Sequence, residues 1–250
     1  VKFYLLASGS YGNSTVIQFK GATFMVDVGL SKKELITKLA LLGFKLDDMD
    51  AIFVTHEHSD HIKGINFVDM DKVYATKETL YPHQYNFVKP FELLEVKGVK
   101  IVPIPMSHDV ENGVGYVFDD GEESLVYLTD TGYVSNRVKP FLENATHYIF
   151  ESNHDVEMLL RTGRPAYLKR RILSDVGHLC NEDSAYVLAD VIGDLTKTIT
   201  LAHVSEDANT PKKALNTVSE ILSQKGFDLN KIKLQVAKRY DITEGGDTLD

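Results

Sequence analysis

The sequence predicts an α/β chain of the α+β kind, with two β-sheets covered on their outer faces by helices rather than one doubly wound parallel sheet. Three observations carry this. Apolar runs rich in β-branched and aromatic residues dominate the first half. Helix signals are interspersed among them and concentrate in the second half. No repeat, low-complexity tract or Pro/Gly/Ser-rich linker interrupts the series. The 250 residues are therefore expected to form one domain, 1–250, long enough to bury a sizeable core.

Strands are expected at 3–7, 15–19, 23–27, 51–55, 100–105, 114–118 and 124–129, and later at 146–150, 198–202 and 232–236. Each is a short apolar or alternating run between turn signals. Helices are marked more sharply. Ser31 and Glu34 have capping-box spacing ahead of Leu35, Ile36, Leu39 and Leu42, and Gly43 is a terminator, so a helix spans 31–43. Asn181 opens a segment with Ala185, Leu188, Ala189 and Ile192 that Gly193 stops. Thr210 caps a helix starting at Pro211, with Ala214, Leu215, Val218, Ile221 and Leu222 on one face and Gly226 past its end.

Composition narrows the function classes. Lys and Arg total 27 against 36 Asp and Glu, a net charge of −9, so the overall field gives no general reason to expect nucleic acid. One stretch runs against it. Between 161 and 171 lie Arg161, Arg164, Lys169, Arg170 and Arg171 with no acidic residue among them, which suits either a polyanion or an ordinary solvated face. The single cysteine, Cys180, excludes an intramolecular disulfide framework and a cysteine-only zinc knuckle, so any metal must be held by His and carboxylate. No apolar run approaches the ~20 residues of a membrane span, and the apolar segment 1–7 is short for a signal peptide. A cytoplasmic location without membrane partners is expected.

The densest chemistry follows the apolar run 51–54, in Thr55-His56-Glu57-His58-Ser59-Asp60-His61. Alternation along an extended loop points His56 and His58 the same way, and a turn after them would present Asp60 and His61 to a second ion about 3.5–4 Å away. Further candidates stand at later strand ends: His108 after 101–105, Asp130 after 125–129, where a carboxylate could bridge two ions, and His203 after 198–202. Asp27, ending 23–26, suits an acceptor for the far nitrogen of a ligand imidazole. Imidazole and carboxylate favour zinc, manganese or iron over calcium.

The pattern His56-x-His58-x-Asp60-His61, with Asp27 upstream and His108, Asp130 and His203 downstream, resembles the metallo-β-lactamase superfamily. That resemblance implies a four-layer αβ/βα sandwich with metals at one edge. It leaves the substrate open among thioesters, lactams, lactones and phosphodiesters. Finer motifs, Leu6-Ala7-Ser8-Gly9-Ser10-Tyr11-Gly12-Asn13-Ser14, Glu151-Ser152-Asn153-His154-Asp155, Gly177-His178-Leu179-Cys180-Asn181 and Leu201-Ala202-His203-Val204-Ser205, are similar to the bacterial YycJ/WalJ-type branch, regarded as DNA exonucleases acting from the 5′ end. Tyr11 and Cys180 depart from it, standing where that branch commonly has serine.

The resemblance implies two divalent ions, Zn2+ or Mn2+. His56, His58 and His108 would hold one ion, Asp60, His61 and His203 the other, and Asp130 both, with metal-activated hydroxide as nucleophile. Asp60 and His178 are the expected catalytic residues, His178 protonating the leaving sugar oxygen or gripping the phosphate. Asp27 and His154 are expected to support the site from behind. Ser10 and Asn13 are candidate 5′-phosphate contacts on a small-residue loop, and Arg170 and Arg171 candidate contacts to the DNA backbone. His83 and His147 have no motif around them and are expected to be ordinary histidines. The leading expectation is a 5′-to-3′ DNA exonuclease in repair or genome maintenance. A small-molecule metallohydrolase and a catalytically weak DNA-binding or regulatory module are the alternatives.

Overall fold

The structure is a computed structural model that describes residues 1–77 and 79–247. The chain divides into two compact units. The first comprises Val1–Pro105, Asn112–Glu122 and the described residues from Lys238 onward; the second comprises Met106–Glu111 and Glu123–Ala237.

In the first unit, β1 (Lys2–Ala7), β2 (Ser14–Phe19) and β3 (Ala22–Val26) form an antiparallel meander, followed by helix α1 (Lys32–Leu41). Next come β4 (Ala51–Phe53), the single helical turn α2 (Ser59–Ile62), β5 (Val73–Thr76) and β6 (Asn86–Val88), then an antiparallel trio of β7 (Leu94–Val96), β8 (Val99–Pro105) and β9 (Val114–Asp119). The last strand, β14 (Thr243–Gly246), returns to pair with β1. The order is therefore β14-β1-β2-β3-β4-β5-β6, antiparallel as far as β3 and parallel beyond it.

Aromatic packing fixes the end of β4. Phe24 and Phe118 stack with centroids 6.0 Å apart, and Phe53 meets Phe118 edge-on at 5.3 Å. Beside them the Tyr116 hydroxyl donates to the Val54 carbonyl at 2.7 Å, and the Val114 amide donates to Thr55 at 2.9 Å. The two residues between β4 and His56 are thus clamped.

The second unit holds β10 (Ser124–Leu128), α3 (Lys139–Leu142), β11 (His147–Glu151), α4 (Val156–Arg161), α5 (Ala166–Ile172), α6 (Asn181–Val191), β12 (Thr198–Ala202), α7 (Pro211–Gln224) and β13 (Lys233–Val236). Its strands β10, β11, β12 and β13 are all parallel. They are short, almost wholly buried apolar runs in β10 to β12, as a sheet covered on both faces requires. Helix α7 buries Ala214, Val218 and Leu222, the apolar stripe expected from the sequence.

All ten expected strands are present within two residues of their expected ends, and so are the three helices. The Ser31–Glu34 capping box forms, with both reciprocal backbone bonds. Some details differ. Ile36 is exposed, because α1 buries only Leu35 and Leu39. Cys180 rather than Asn181 caps α6, its sulfur accepting from the Asp183 amide at 3.4 Å. Helix α4, not expected from the sequence, is capped by Asp155, which accepts from the Met158 amide at 2.9 Å. No helix among the described residues is long and apolar enough to cross a membrane.

Candidate functional site

The first unit presents its polar groups where parallel strands end. Register pairs Val26 of β3 with Phe53 of β4, so the residues just beyond, Asp27 and Thr55-His56, leave the sheet side by side. This is the carboxyl edge at which open α/β sheets place their ligands. Asp27 has φ +59°, the left-handed region that a non-glycine residue adopts at some cost. Its fully buried carboxylate accepts from the Thr55 amide at 2.8 Å and the Thr55 hydroxyl at 2.9 Å, and meets His61 Nδ1 at 2.7 Å. Burial raises the Asp27 pKa, while His61 and the Thr55 donors pull against that rise.

The expected turn after His58 is α2, which carries Asp60 and His61. The His56 ring lies 4.6 Å from that of His58 and 4.0 Å from that of His61, centroid to centroid, so three imidazoles do cluster. His61 is buried and Asp60 is half-buried, with its Oδ2 at 3.6 Å from His61 Nε2. A close backbone approach sets this turn. A Cβ on Gly29 would fall 1.7 Å from the Asp60 carbonyl oxygen, a position only glycine allows.

Asn13 differs from its expected part. Its side chain is buried, with Oδ1 accepting from the Gly9 amide at 2.8 Å and Nδ2 lying 3.0 Å from His61 Nε2 and 3.3 Å from Asp60 Oδ2. It meets the Asp60–His61 turn on the side opposite Asp27, at His61 Nε2 and Asp60 Oδ2. Ser10, in the same loop, is exposed.

The second unit repeats the geometry on three adjacent strands. Leu128 of β10 pairs with Phe150 of β11, and Glu151 of β11 with Ala202 of β12, so Asp130, Glu151 and His203 emerge together. Asp130 and His203 both have φ +54°. Two unrelated strand ends held in the same sparsely populated conformation mark a place where position matters more than local comfort. His203 Nε2 lies 3.3 Å from Asp130 Oδ1.

Glu151 is the hub of this cluster, and sequence reasoning gave it no role. It is fully buried. Its Oε1 lies 2.8 Å from His178 Nδ1 and 2.9 Å from His203 Nδ1, and its Oε2 accepts from the Thr131 amide at 2.8 Å and the Leu179 amide at 3.2 Å. Burial works against its ionisation, yet His178 and His203 outweigh it and hold the carboxyl at about 2. One ionised carboxylate thus orients two imidazoles, fixing which nitrogen each leaves for other work. The available signals were its place at the end of an apolar strand and at the head of the Glu151-Ser152-Asn153-His154-Asp155 motif.

The His178 ring stands 5.0 Å from that of His108 and 5.2 Å from that of His203, so it sits between two expected ligands. His108 Nδ1 lies 3.1 Å from the Gly177 carbonyl, and burial holds this imidazole below its usual range, against the pull of Asp130 and Glu151. A neutral imidazole is the form that binds metal. Four groups here, Asp130, Glu151, His178 and His203, each offer a ligand atom, all within 4.8 Å of one another. Buried nitrogen and carboxylate donors at that spacing fit a divalent transition ion.

His154 does not support a ligand by hydrogen bond. The contacts to His203 come instead from Glu151 and from Asn153, whose Nδ2 donates to the His203 carbonyl at 2.8 Å. Both His154 ring nitrogens are buried without a hydrogen-bond partner among the described residues, and burial holds the imidazole down at about 4, against the charge of Glu151. The fold therefore keeps His154 neutral, while the unfolded chain titrates near 6.5. Its stabilising effect is complete above the unfolded value and disappears as pH falls from about 6.5 to about 4, a loss of roughly 3 kcal/mol. Thermal unfolding of H154F across this window should show a shallower acid decline than the parent; parallel curves would contradict it.

The cationic stretch is largely paired. Arg161 bonds Glu157 at 3.2 Å, Arg164 bonds Asp207 at 3.4 Å, and Lys169 donates to the Leu160 carbonyl at 2.6 Å. Arg171 reaches Asp109, the neighbour of His108, at 2.6 Å, and Arg170 is exposed. Of the histidines expected to be ordinary, His147 is buried with Nδ1 at 2.8 Å from the Thr198 hydroxyl, and His83 is exposed.

Comparison with known proteins follows the same lines. Residues 24–203 match the beta-lactamase superfamily domain. The chain is 42% identical over 245 residues to the exodeoxyribonuclease YycJ of Bacillus anthracis, covering 92% of each chain. It is 40% identical over 240 residues to the exodeoxyribonuclease WalJ of Streptococcus pneumoniae serotype 2 (strain D39 / NCTC 7466), covering 89% of this chain and 88% of that one. The metallo-beta-lactamase fold protein YhfI of Bacillus subtilis superposes with a TM-score of 0.72 at 18% identity, over 98% of this chain and 99% of that one. The expected fold, the α/β sandwich of the metallo-β-lactamases, is thereby shown.

Proposed function

Since the chain belongs to the metallo-β-lactamase superfamily and to its YycJ/WalJ-like branch, we propose that it is a metal-dependent exonuclease that shortens DNA from the 5′ end. The two units act in this reading as one hydrolase domain in the cytoplasm, serving repair or genome maintenance. The observation that carries it is the Asp130–Glu151–His178–His203 cluster, three of its members buried at adjacent strand ends, in a chain 42% identical to an exodeoxyribonuclease over 92% of its length.

His56, His58 and His108 are assigned to one ion, Asp60, His61 and His203 to the other, and Asp130 to both. Two divalent ions, zinc or manganese, would supply there an acidified water and neutralise charge on the phosphate oxygens. The protein's own groups do the rest. Asp27 fixes the His61 ring through Nδ1. His61 Nε2, which lies 3.0 Å from the Asn13 amide nitrogen, is the ring nitrogen that would be left for an ion. Glu151 holds Nδ1 of His178, so the opposite nitrogen, Nε2, is the one that passes a proton to the leaving sugar oxygen. Ser10 is assigned to the 5′-phosphate; Asn13, turned inward, shapes that loop.

The test is incubation of metal-loaded protein with 5′-phosphorylated and 5′-hydroxyl DNA, duplex and single-stranded, beside matching RNA and a thioester. Mononucleotides released in order from the 5′ end of DNA are expected. Turnover of the thioester with DNA left intact would replace the nuclease by a small-molecule hydrolase.

Arg170 and Arg171 give a second expectation. Phosphate contacts are sequence-independent and weaken with salt, so R170Q/R171Q should lower DNA turnover far more than cleavage of a small phosphodiester, and should flatten the salt dependence. Arg171 is tied to Asp109, so R171Q alone should carry the larger part of any effect on the small substrate. Equal losses on both substrates with the double variant would remove these residues from the DNA path.

A further inference from the structure

Two tyrosines stand half-exposed on the first unit, beside the loop that braces Asp60 and His61. Tyr11 is 44% and Tyr240 is 47% exposed, and their rings meet edge to face with centroids 5.1 Å apart. A cation lies over a face of each ring: Lys63 Nζ 5.6 Å from the Tyr11 centre, and the Arg239 guanidinium 5.8 Å from that of Tyr240. Lys38 Nζ donates to the Tyr240 carbonyl at 2.5 Å. Glu34 is the carboxylate in contact, accepting from the Tyr11 hydroxyl.

The placement is fixed by backbone. The Ser8 amide donates to the Arg239 carbonyl at 3.3 Å, which ties the Tyr240 segment to the loop containing Tyr11. Two residues beyond Tyr11, the Asn13 amide donates to the Asp60 carbonyl at 2.7 Å. Lys63 follows His61 by two residues. The two tyrosines therefore lie on segments bonded to each other, and the Tyr11 segment is bonded in turn to the helical turn that carries two of the assigned metal ligands.

Exposed aromatic faces bordered by cations are how sequence-tolerant sites hold single-stranded nucleic acid: bases stack on the rings and phosphates lie along the cations. We propose that Tyr11 and Tyr240 form a stacking platform for unpaired bases at the DNA end, with Lys63 and Arg239 holding the adjoining phosphates. This rests on the exonuclease reading and names the part of the substrate that the site grips.

The experiment measures KM for nucleotide release, and binding by anisotropy, on a 5′-phosphorylated oligodeoxythymidylate and on the same oligomer with abasic residues at its 5′ end. Proteins compared are the parent, Y11A, Y240A and Y11F. Each alanine variant should bind the thymidylate roughly five- to a hundredfold more weakly. Y11F, which keeps the ring and loses only the bond to Glu34, should bind like the parent. On the abasic oligomer the parent and the alanine variants should become equal. Unchanged thymidylate binding in Y11A and Y240A would overturn the platform. So would a loss in Y11F matching that in Y11A, or a loss that persists undiminished on the abasic oligomer, since either would mean that the rings merely shape the loop. If the parent binds DNA through the tyrosines but releases no nucleotides, the exonuclease reading falls and the platform stands.

Discussion

Replacing Asp130 with alanine should lower DNA hydrolysis on the order of a thousandfold, equivalent to about 4 kcal/mol in the barrier, and should reduce the amount of divalent ion that co-purifies with the protein. The expectation rests on position. Asp130 lies two residues beyond β10, with Oδ1 at 3.3 Å from His203 Nε2, and the assignment gives it to both ions. Its φ of +54° complicates the alanine variant, because alanine tolerates left-handed backbone less well than aspartate. Asparagine separates the two effects: D130N keeps the shape and the conformational tolerance and loses only the charge. Near-parental thermal stability with metal and activity both lost in D130N is the expected pattern. Normal DNA degradation by either variant without bound metal would refute the proposed centre.

Much of this arrangement was legible because it is local in sequence. Asp27, His56, Asp130 and His203 each follow a short apolar run, and such a run ending in His or Asp places a polar group at a sheet edge. The helical turn carrying Asp60 and His61 was legible for the same reason. Glu151 was not. It lies within β11, and nothing adjacent to it says that it will meet His178, 27 residues on, and His203, 52 residues on, through one oxygen. That meeting depends on β10, β11 and β12 being parallel neighbours, a property of long-range pairing rather than of composition. Asn13 is similar: a Ser/Gly-rich loop suggests an anion nest, and only its contacts with Asp60 and His61, 47 and 48 residues on, show that the Asn13 amide faces inward. Of the strands not anticipated, β14 carries the sequence Thr-Glu-Gly-Gly, without apolar alternation, and exists because β1 offers it an edge. Strands β6 and β7 are three residues long, too short to show a period.

His178 carries the second large expectation, and the leaving group discriminates its role. The 3′ oxygen of a sugar is a poor leaving group that needs a proton as the bond breaks, whereas p-nitrophenolate leaves readily without one. If His178 donates that proton, H178A should lower kcat on DNA by about a hundred- to ten-thousandfold and affect a p-nitrophenyl phosphodiester far less. If His178 instead grips the phosphate, both substrates should suffer alike, and the proton-donor role falls. Its setting favours the donor role. The ring lies between His108 and His203, its side chain is 14% exposed, and its Nδ1 is held at 2.8 Å by a carboxylate that the surrounding imidazoles keep ionised. E151Q completes the test by leaving His178 in place while removing the charge behind it. An amide can still accept from one imidazole through its oxygen, but it no longer stabilises a protonated ring, and it leaves His203 less firmly oriented. A loss of roughly ten- to a hundredfold is expected, smaller than for H178A but with the same dependence on leaving group. A loss in E151Q that is identical for the two substrates would show that Glu151 acts through His203 and the metal alone.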